Sequence, residues 1–189
     1  MSKVKIQGNA SGTGTFTIQA PNSNSDRVLS LPDGAGEILT DGTSYVPQKG
    51  VPIFHTTMSA TQSVSSSTWT KVQFNTETID SDGSYDTSTY RYTPQIAGWY
   101  SFGVNLYEGS TVTRMILSIA RNGNYSDQRV VDLSGSTNFS KMQFGGTALY
   151  YMNGTTDYVE VYGWVAASGG PIFSSGDGSN FHGFLVRAD

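Results

Sequence analysis

The clearest pattern of hydrophobic and polar positions lies between residues 88 and 107. Its second half alternates apolar with more polar residues, and the apolar set is Tyr100, Phe102, Val104 and Leu106. A period of two is typical of a β-strand with one buried face, so we expect these four side chains to point into a core. Tyr90 and Tyr92 alternate with polar residues in the same way, and the turn residues Pro94 and Gly98 follow them. The two runs therefore predict an antiparallel hairpin.

Similar runs continue through the rest of the chain. The predicted strands from Val51 onward cover residues 51–57, 70–75, 89–94, 99–107, 113–121, 141–152, 158–166 and 181–187. Each run is bounded by Gly, Asn, Asp, Ser or Pro, and none shows the helical period. Eight short strands with such turns predict an all-β domain at residues 51–189, a sandwich of the jelly-roll type.

Residues 1–50 have a different character. They contain alternating runs at residues 12–21 and 27–34 and a shorter one at residues 37–40, each ended by turn residues. No neighbouring segment covers their apolar side chains, and a segment this thin buries too little apolar area to fold by itself. We expect a shaft that forms by wrapping around other copies of itself, and the alternative is an irregular linker.

Composition and charge exclude several classes of function. The chain has 189 residues, 11 Lys and Arg against 15 Asp and Glu, and no cysteine. The net charge of −4 and the absence of a basic cluster argue against a nucleic-acid partner. Without cysteine, the chain has no disulfides or zinc thiolate sites. No apolar run opens the sequence or reaches the length of a membrane span, so we expect neither a secretion signal nor membrane insertion.

Catalytic and metal-binding motifs have little support. No G-x-S-x-G elbow or phosphate loop occurs, and most of the carboxylates stand at turn-like positions, so we expect neither an enzyme nor a cofactor. The run from Asp80 to Asp86 resembles a calcium loop, but Arg91 stands where a bidentate Glu is needed, and we interpret the run as a turn without metal. His55 and His182 lie on the first and last predicted strands. We expect them to be neighbours at a shared sheet edge with a structural role, since two ligands do not close a metal site.

A short phrase in the N-terminal region carries a first resemblance. The run from Gly12 to Pro21, followed by Arg27-Val-Leu-Ser-Leu-Pro-Asp-Gly and a strand that ends at Thr40, resembles the shaft segments of tailed-bacteriophage tail fibres. In those fibres such phrases precede a folded head. The resemblance covers about 30 residues and implies a trimeric appendage of a virion.

A second resemblance covers residues 51–189. Its phrases are Lys71-Val-Gln-Phe-Asn75, Ala97-Gly-Trp-Tyr-Ser-Phe102, Leu117-Ser-Ile-Ala-Arg-Asn-Gly123 and Phe181-His-Gly-Phe-Leu-Val186, together with Tyr85-Asp86 and Thr93-Pro94. They resemble, in order and spacing, the globular head of complement component 1q, a relative of tumour necrosis factor. The resemblance implies a ten-strand jelly roll that forms tight trimers by packing an aromatic-rich sheet around a three-fold axis. The chain departs from the family in its longer insertion at residues 122–140 and in lacking a collagen-like stalk before the head.

Two surfaces are candidates for contacts. Tyr158, Tyr162 and Trp164 share one face of a strand whose other face is valine-rich, so we predict that they form the trimer interface, and a sugar-stacking platform is the alternative. The polar, Gly- and Ser-rich segments at residues 122–140 and 167–180 are predicted binding loops. Counting strand reversals puts both loops at the end away from the shaft, and the short connections at residues 108–112 and 153–157 at the base, where the shaft enters. Receptor contacts are therefore predicted at Tyr125, Asp127, Arg129, Asn138, Asp177 and Asn180.

These observations and resemblances together predict a homotrimeric phage tail-fibre or receptor-binding protein. Its partners would be other virion tail proteins and a host surface receptor, either a glycan or an outer-membrane protein. We expect it to be made in the host cytoplasm and to reside in the virion. Two alternatives remain open at this point: a virion decoration or connector whose head only registers the trimer, and a bacterial surface lectin with the same head.

Overall fold

The described part of the head contains eleven β-strands and no helix. The computed structural model describes residues 11–13, 24, 26, 51–167, 169–175 and 178–189, without the side chains of residues 136–140. The predicted shaft at residues 1–50 lies almost entirely outside these residues and stays a prediction. The strands are β1 (Ile53–Thr57), β2 (Gln62–Ser63), β3 (Thr70–Lys71), β4 (Thr76–Asp80), β5 (Tyr85–Asp86), β6 (Arg91–Tyr92), β7 (Gly98–Arg121), β8 (Arg129–Met152), β9 (Val159–Ala167), β10 (Ile172–Ser174) and β11 (Asn180–Ala188).

The long strands β7 and β8 form a bent hairpin that joins two layers. Layer 1 contains β4, β1, β11, residues 98–108 of β7 and residues 142–152 of β8. Layer 2 contains β3, β5, β6, β9, residues 111–121 of β7 and residues 129–140 of β8. The bend lies where the register of β7 against β8 shifts, after Glu108, and Lys141 on β8 has a positive φ of 52° there. Such irregularities bend a strand without ending it.

The core lies between the two layers. The four predicted inward side chains of β7, from Tyr100 to Leu106, are all buried, which confirms the period-two prediction. Phe54 of layer 1 stacks on Tyr92 of layer 2 with ring centroids 4.2 Å apart. The Tyr150 hydroxyl in layer 1 donates to the Ile119 carbonyl oxygen in layer 2 at 2.8 Å. The alternation of side chains along each strand thus builds a closed aromatic core, and the all-β jelly-roll prediction is confirmed.

Both ends of β7 lie at the same end of the sandwich. Gly98 pairs with Met152, and the Arg121 guanidinium donates to the Tyr151 carbonyl oxygen at 3.2 Å. We call this end the base. The chain also enters and leaves the head there, since Leu185 N–H donates to the Pro52 carbonyl oxygen at 3.0 Å and Ala188 pairs with Gly98. The last strand of the head therefore ends beside the start of the first.

Some predicted connections are wrong. β6 pairs with β5 and β9, not with β7, so residues 93–97 cross between layers and do not close a hairpin. Residues 108–112, predicted as a turn at the base, continue β7 at the opposite end. Most of the predicted loop at residues 122–140 belongs to β8, and its remaining turn lies at the base, where Asn122 Nδ2 donates to Asp157 Oδ1 at 2.8 Å. The strand count was already wrong before β8, because it started the run at residues 99–107 at the far end, whereas β7 begins at the base.

The second predicted loop, residues 167–180, contains the short strand β10. Phe173 of β10 is buried and pairs with Glu108 of β7, away from the base. Glu108 is also buried, and its Oε2 accepts a hydrogen bond from Ser110 N–H at 2.9 Å. This segment therefore closes the core at the end opposite the base, as the strand count placed it.

Candidate functional site

The outward face of layer 2 carries a continuous group of aromatic side chains. We define the aromatic surface as Trp69, Tyr125, Tyr158, Tyr162 and Trp164. Tyr125 stacks on Trp69 with centroids 4.8 Å apart and lies 5.4 Å from Tyr162. Every ring of the surface is partly open to solvent in the single chain. Three separate segments of the sequence therefore meet in one layer of rings.

Strand register brings these segments together. Tyr162 of β9 lies opposite Lys71 of β3 on one side and opposite Ser118 of β7 on the other. Ser118 in turn lies opposite Arg129 of β8. Side chains directly opposite on neighbouring strands share a face of the sheet, so one row crosses four strands under the aromatic surface.

The turn after β7 places Tyr125 over this row. Asn122 and Gly123 both have positive φ values, 52° and 79°, which turn the chain sharply away from the strand. The side chain of Asn124 accepts a hydrogen bond from Ser126 N–H at 3.1 Å and holds the turn closed. The turn thus directs Tyr125 back onto the sheet.

Four basic residues lie against the rings. The Arg91 guanidinium carbon is 4.1 Å from the Tyr158 centroid, and that of Arg114 is 5.6 Å from the Trp164 centroid. Arg129 lies over Trp69 at 5.8 Å, and Lys71 lies over Tyr162 at 5.9 Å. These distances are those of cation–π contacts. The basic residues alternate with the rings across the whole surface.

A buried carboxylate lies beneath this layer. Glu160 is 1% exposed although it occupies an outward position of β9. Its Oε2 forms ion pairs with Lys71 and with Arg91, the latter at 2.8 Å, and its Oε1 accepts a hydrogen bond from the Tyr162 hydroxyl at 3.2 Å. The bond to Glu160 raises the pKa of Arg91. Burial, and then the nearby Glu160 charge, raises the pKa of Tyr162 to about 12.

The aromatic surface also covers apolar positions of its own chain. Ile116, Ser118 and Ala120 alternate with the core residues of β7, so they face outward, yet all three are buried. The rings of layer 2 therefore have an intrachain role, and their presence does not by itself require a subunit contact.

The outward face of layer 1 is different, because large apolar side chains there are exposed. Ile53 of β1 lies opposite Phe184 of β11, which lies opposite Ser101 of β7, which lies opposite Leu149 of β8. Ile53, Phe184 and Leu149 are 41%, 45% and 52% exposed. Ile79 and Trp99 are exposed on the same face. We call these five residues the apolar face of layer 1.

The two histidines lie within the same sheet face. β1 pairs with β11, so the predicted proximity of His55 and His182 is confirmed, with ring centroids 6.2 Å apart. They do not mark a sheet edge, because β4 flanks β1 on its other side and β7 flanks β11. His182 Nδ1 is 2.9 Å from the Asn180 side-chain oxygen.

The structure separates the predicted receptor-binding residues. Tyr125 and Asp127 lie in the turn at the base, and Arg129 begins β8 beside it. Asn180 begins β11 at the other end, paired with Asn105. The backbone of residue 138 lies in β8 near the far end, its side chain is not described, and Asp177 is outside the described residues. Among the members whose side chains the structure describes, Tyr125 and Arg129 come together, since both contact Trp69.

Sequence reasoning missed several members of this surface. Trp69, Lys71, Arg91 and Glu160 lie in or beside predicted strands, and their sequence positions do not indicate a shared surface. The available signal was the outward set of β9, where a lone acidic residue stands among aromatics. An acidic side chain in that position requires basic partners when the rings cover it.

The predicted turn at Asp80 to Asp86 is confirmed. Gly83 has a φ of 65°, Asp80 Oδ2 accepts a hydrogen bond from Tyr85 N–H at 2.8 Å, and Asp82 Oδ2 accepts one from the Ser84 hydroxyl at 2.7 Å. Burial raises the pKa of Asp82. Among the residues that the structure describes, no group of three or more His, Asp or Glu side chains is arranged to hold a metal ion. No helix in this part of the chain is long and apolar enough to cross a membrane.

Several solved structures of other proteins are similar to this chain. No curated protein sequence matches the chain. Murine APRIL, in a crystal structure at pH 8.5, is 13% identical over 72% of this chain and 98% of that chain, with a TM-score of 0.53. The globular domain of zebrafish complement 1qA is 17% identical over 73% of this chain and 99% of that chain, with a TM-score of 0.49. The APRIL likeness, at such low identity, bears on the fold alone.

The family is established by the sequence match itself. The family model of the C1q domain matches residues 53–186, which is most of the chain. The resemblance of the head to complement component 1q is thereby confirmed, whereas the resemblance of residues 12–40 to tail-fibre shafts stays a prediction. Through residues 53–186, the protein belongs to the C1q domain family.

Proposed function

We propose that this chain is a receptor-binding tail-fibre protein of a tailed bacteriophage, and that its trimeric C1q head attaches the virion to the host surface. The observation that carries the proposal is the combination of two parts in one chain. A C1q domain at residues 53–186 follows a phrase from Gly12 to Thr40 that resembles a fibre shaft. C1q and TNF-like domains usually form trimers, bind receptors and lack catalytic activity.

The apolar face of layer 1 supports the trimeric state. Ile53, Leu149 and Phe184 stand in one row across four strands and are each about half exposed. Exposed apolar side chains grouped in this way are typical of subunit contacts. This face is a better candidate for the trimer interface than Tyr158, Tyr162 and Trp164, which pack against Trp69, Tyr125 and basic side chains of their own chain.

Attachment to bacterial cells tests the function. Fluorescently labelled protein is incubated with a panel of bacterial species, and bound fluorescence is measured by flow cytometry. We expect saturable binding to a narrow set of species and competition by unlabelled protein. A matched control is the Phe184→Glu variant, which should be monomeric and should bind more weakly because three linked sites raise the apparent affinity.

The alternatives predict different results. A decoration or connector protein would bind none of the cells while remaining trimeric. A bacterial surface lectin would bind glycans, and its gene would not lie among genes for virion proteins. Absence of binding to every species on a broad panel would refute the attachment function.

A further inference from the structure

We propose that His55 and His182 make the contact between copies of the head depend on pH, and that mild acid separates the trimer into folded subunits. The inference rests on the proposed function, since it concerns the regulation of the trimer that the apolar face of layer 1 is proposed to form. A separated head would lose the gain in affinity that three linked sites provide, so mild acid would also weaken attachment.

The first argument is the location of the groups that titrate near neutral pH. The chain contains two histidines and no cysteine. Histidine is the side chain whose ordinary pKa lies between pH 5 and pH 8. Both histidines lie on the outward face of layer 1, directly opposite each other on β1 and β11. The imidazoles of the whole chain are therefore concentrated at one point of one sheet face.

The second argument is that the apolar face of layer 1 surrounds the pair. His55 stands opposite Ile79 of β4 and two residues after Ile53. His182 stands two residues before Phe184 on β11. Alternation along a strand places these side chains on the same face, and both imidazoles are partly exposed in the single chain. A copy that covers the three apolar side chains must also cover the two imidazoles and remove the water around them.

The third argument is that no opposite charge faces the pair. Next to His182 stands Gly103 of β7, and the row ends at a threonine of β8. The acidic residues of β4, Glu77 and Asp80, stand opposite inward-facing positions of β1, and Arg187 of β11 stands near the base. Among the described residues of these strands, none could therefore neutralise a charged imidazole under a covering copy. Loss of water disfavours such a charge, and a second charged imidazole 6.2 Å away disfavours it further.

Hydrogen bonds identify the atom of His182 that takes up the proton. Its Nδ1 is 2.9 Å from the Asn180 side-chain oxygen, and Asn180 Nδ2 donates to the Gly178 carbonyl oxygen at 2.6 Å. Because an amide oxygen only accepts, Nδ1 carries the hydrogen of the neutral ring and Nε2 is the base. A side chain at Gly103 would collide with Nε2, so the ring lies directly over that glycine. The basic nitrogen is thus held on the face that a second copy would cover.

These contacts fix the direction of the effect. Burial, and then the neighbouring His55, lowers the pKa of His182 in the single chain, and cover by a second copy adds further burial. The free subunit therefore binds protons more readily than the trimer does, and a falling pH favours dissociation. Each proton taken up on dissociation changes the dissociation constant about 10-fold per pH unit, so one proton per subunit changes it about 1,000-fold.

Sedimentation velocity of the full chain from pH 8 to pH 5 tests the inference, over a range of protein concentrations and with a chelator in every buffer. We expect trimers at pH 8 and a growing share of subunits below about pH 6.5, with an unchanged circular dichroism spectrum. The double variant His55→Gln, His182→Gln keeps neutral polar side chains and should remain trimeric throughout. His182→Gln alone should reduce the pH dependence in part, and it reports on the pair even where the double variant fails to fold.

Subunit exchange between trimers that carry different fluorescent labels gives a second measure, because it detects faster dissociation even in a very tight trimer. Asp82→Asn is the matched control, since burial raises the pKa of that carboxyl and makes it a competing source of a pH effect. This variant should keep the pH dependence of the wild-type chain.

Several results would overturn the inference. They are a trimer fraction and an exchange rate that are the same at pH 8 and pH 5, a pH dependence that survives in the double variant, and one that disappears in Asp82→Asn. Loss of the circular dichroism signal together with the trimer would also overturn it, because the fold and not the contact would then be sensitive to acid. A chain that is monomeric at pH 8 would overturn the inference and the trimeric state together. The measurement needs no receptor, so failure of the pH dependence leaves the attachment function intact, whereas failure to bind cells at pH 8 refutes that function alone.

Discussion

His55 and His182 lie directly opposite each other on β1 and β11, with their rings nearly parallel and 6.2 Å apart. Beneath them is Gly103, where any side chain would collide with the His182 ring. Burial, and then the neighbouring His55, lowers the pKa of His182 below its ordinary value of 6.5. The folded head therefore binds a proton at this position less readily than the unfolded chain does.

This relationship predicts a loss of stability in mild acid. Because the pKa of His182 is lowered in the folded state, its contribution is complete above pH 6.5 and is lost as the pH falls below that value. The melting temperature, measured from pH 8 to pH 5 at one protein concentration, should decrease over the lower part of this range. His182→Gln should flatten that decrease. Hydrogen bonds from Ser88 and Thr89 lower the pKa of Asp86 to about 2. The contribution of Asp86 to stability is therefore lost only in much stronger acid.

The aromatic core predicts a large effect at one position. Phe102 is fully buried and contacts Phe54, Tyr92, Tyr150 and Phe181 from both layers. Phe102→Ala should lower the free energy of unfolding by about 3–5 kcal/mol, because these rings cannot collapse into the space. Urea denaturation measures the change, with Phe102→Leu as a milder control. A cost within about 1 kcal/mol for the alanine variant would contradict the observed inward packing.

The two candidate interfaces can be compared directly. Phe184→Glu places a carboxylate in the exposed apolar row of layer 1 and should convert trimers into monomers or insoluble chains, because a desolvated charge there has no partner. Trp164→Glu makes the equivalent change on layer 2 and should leave the trimer intact. Sedimentation velocity of both variants decides between the faces. If Trp164→Glu gave monomers and Phe184→Glu gave trimers, the interface would be the face of Tyr158, Tyr162 and Trp164, as the sequence predicts.

The ion pairs of layer 2 should differ in their contribution to stability. Arg91→Met leaves the buried Glu160 with Lys71 and the Tyr162 hydroxyl as partners and should cost about 1.5–3 kcal/mol. Arg114→Met removes a pair with Asp132 in which both side chains are more than one third exposed, and it should cost at most about 1 kcal/mol. Chemical denaturation of the two variants under the same conditions gives the comparison. If the two variants lost the same free energy of unfolding, burial of Glu160 would not strengthen its ion pairs with Lys71 and Arg91.

The inward positions of the head were predictable because they depend on a local rule. Alternation with a period of two identifies the buried face of a strand wherever one side packs on a core, as it does from Tyr100 to Leu106. The continuity of β7 was not predictable in this way. Gly109 and Ser110 are ordinary turn residues, and the pairing of Glu108 and Thr111 with β8 on either side of them keeps the chain extended there.

The candidate site was predictable only in part for the same reason. The outward aromatics of β9 are visible in its own alternation, which led to Tyr158, Tyr162 and Trp164. Their partners Trp69 and Tyr125 come from distant segments, and no local pattern shows that those segments cross the same sheet face. Long-range register decides which residues meet, and it is fixed by the whole strand order.

The described head begins and ends at its base, which has a mechanical consequence. A pull on the chain at Val51, resisted at any other point of the head, would load β1 along its own axis. β1 is hydrogen-bonded to β11 through five residue pairs and to β4 through four. Antiparallel hydrogen bonds run across the strands, so this load shears them together instead of opening them one at a time. A head built in this way resists tension that is applied through the chain at its base.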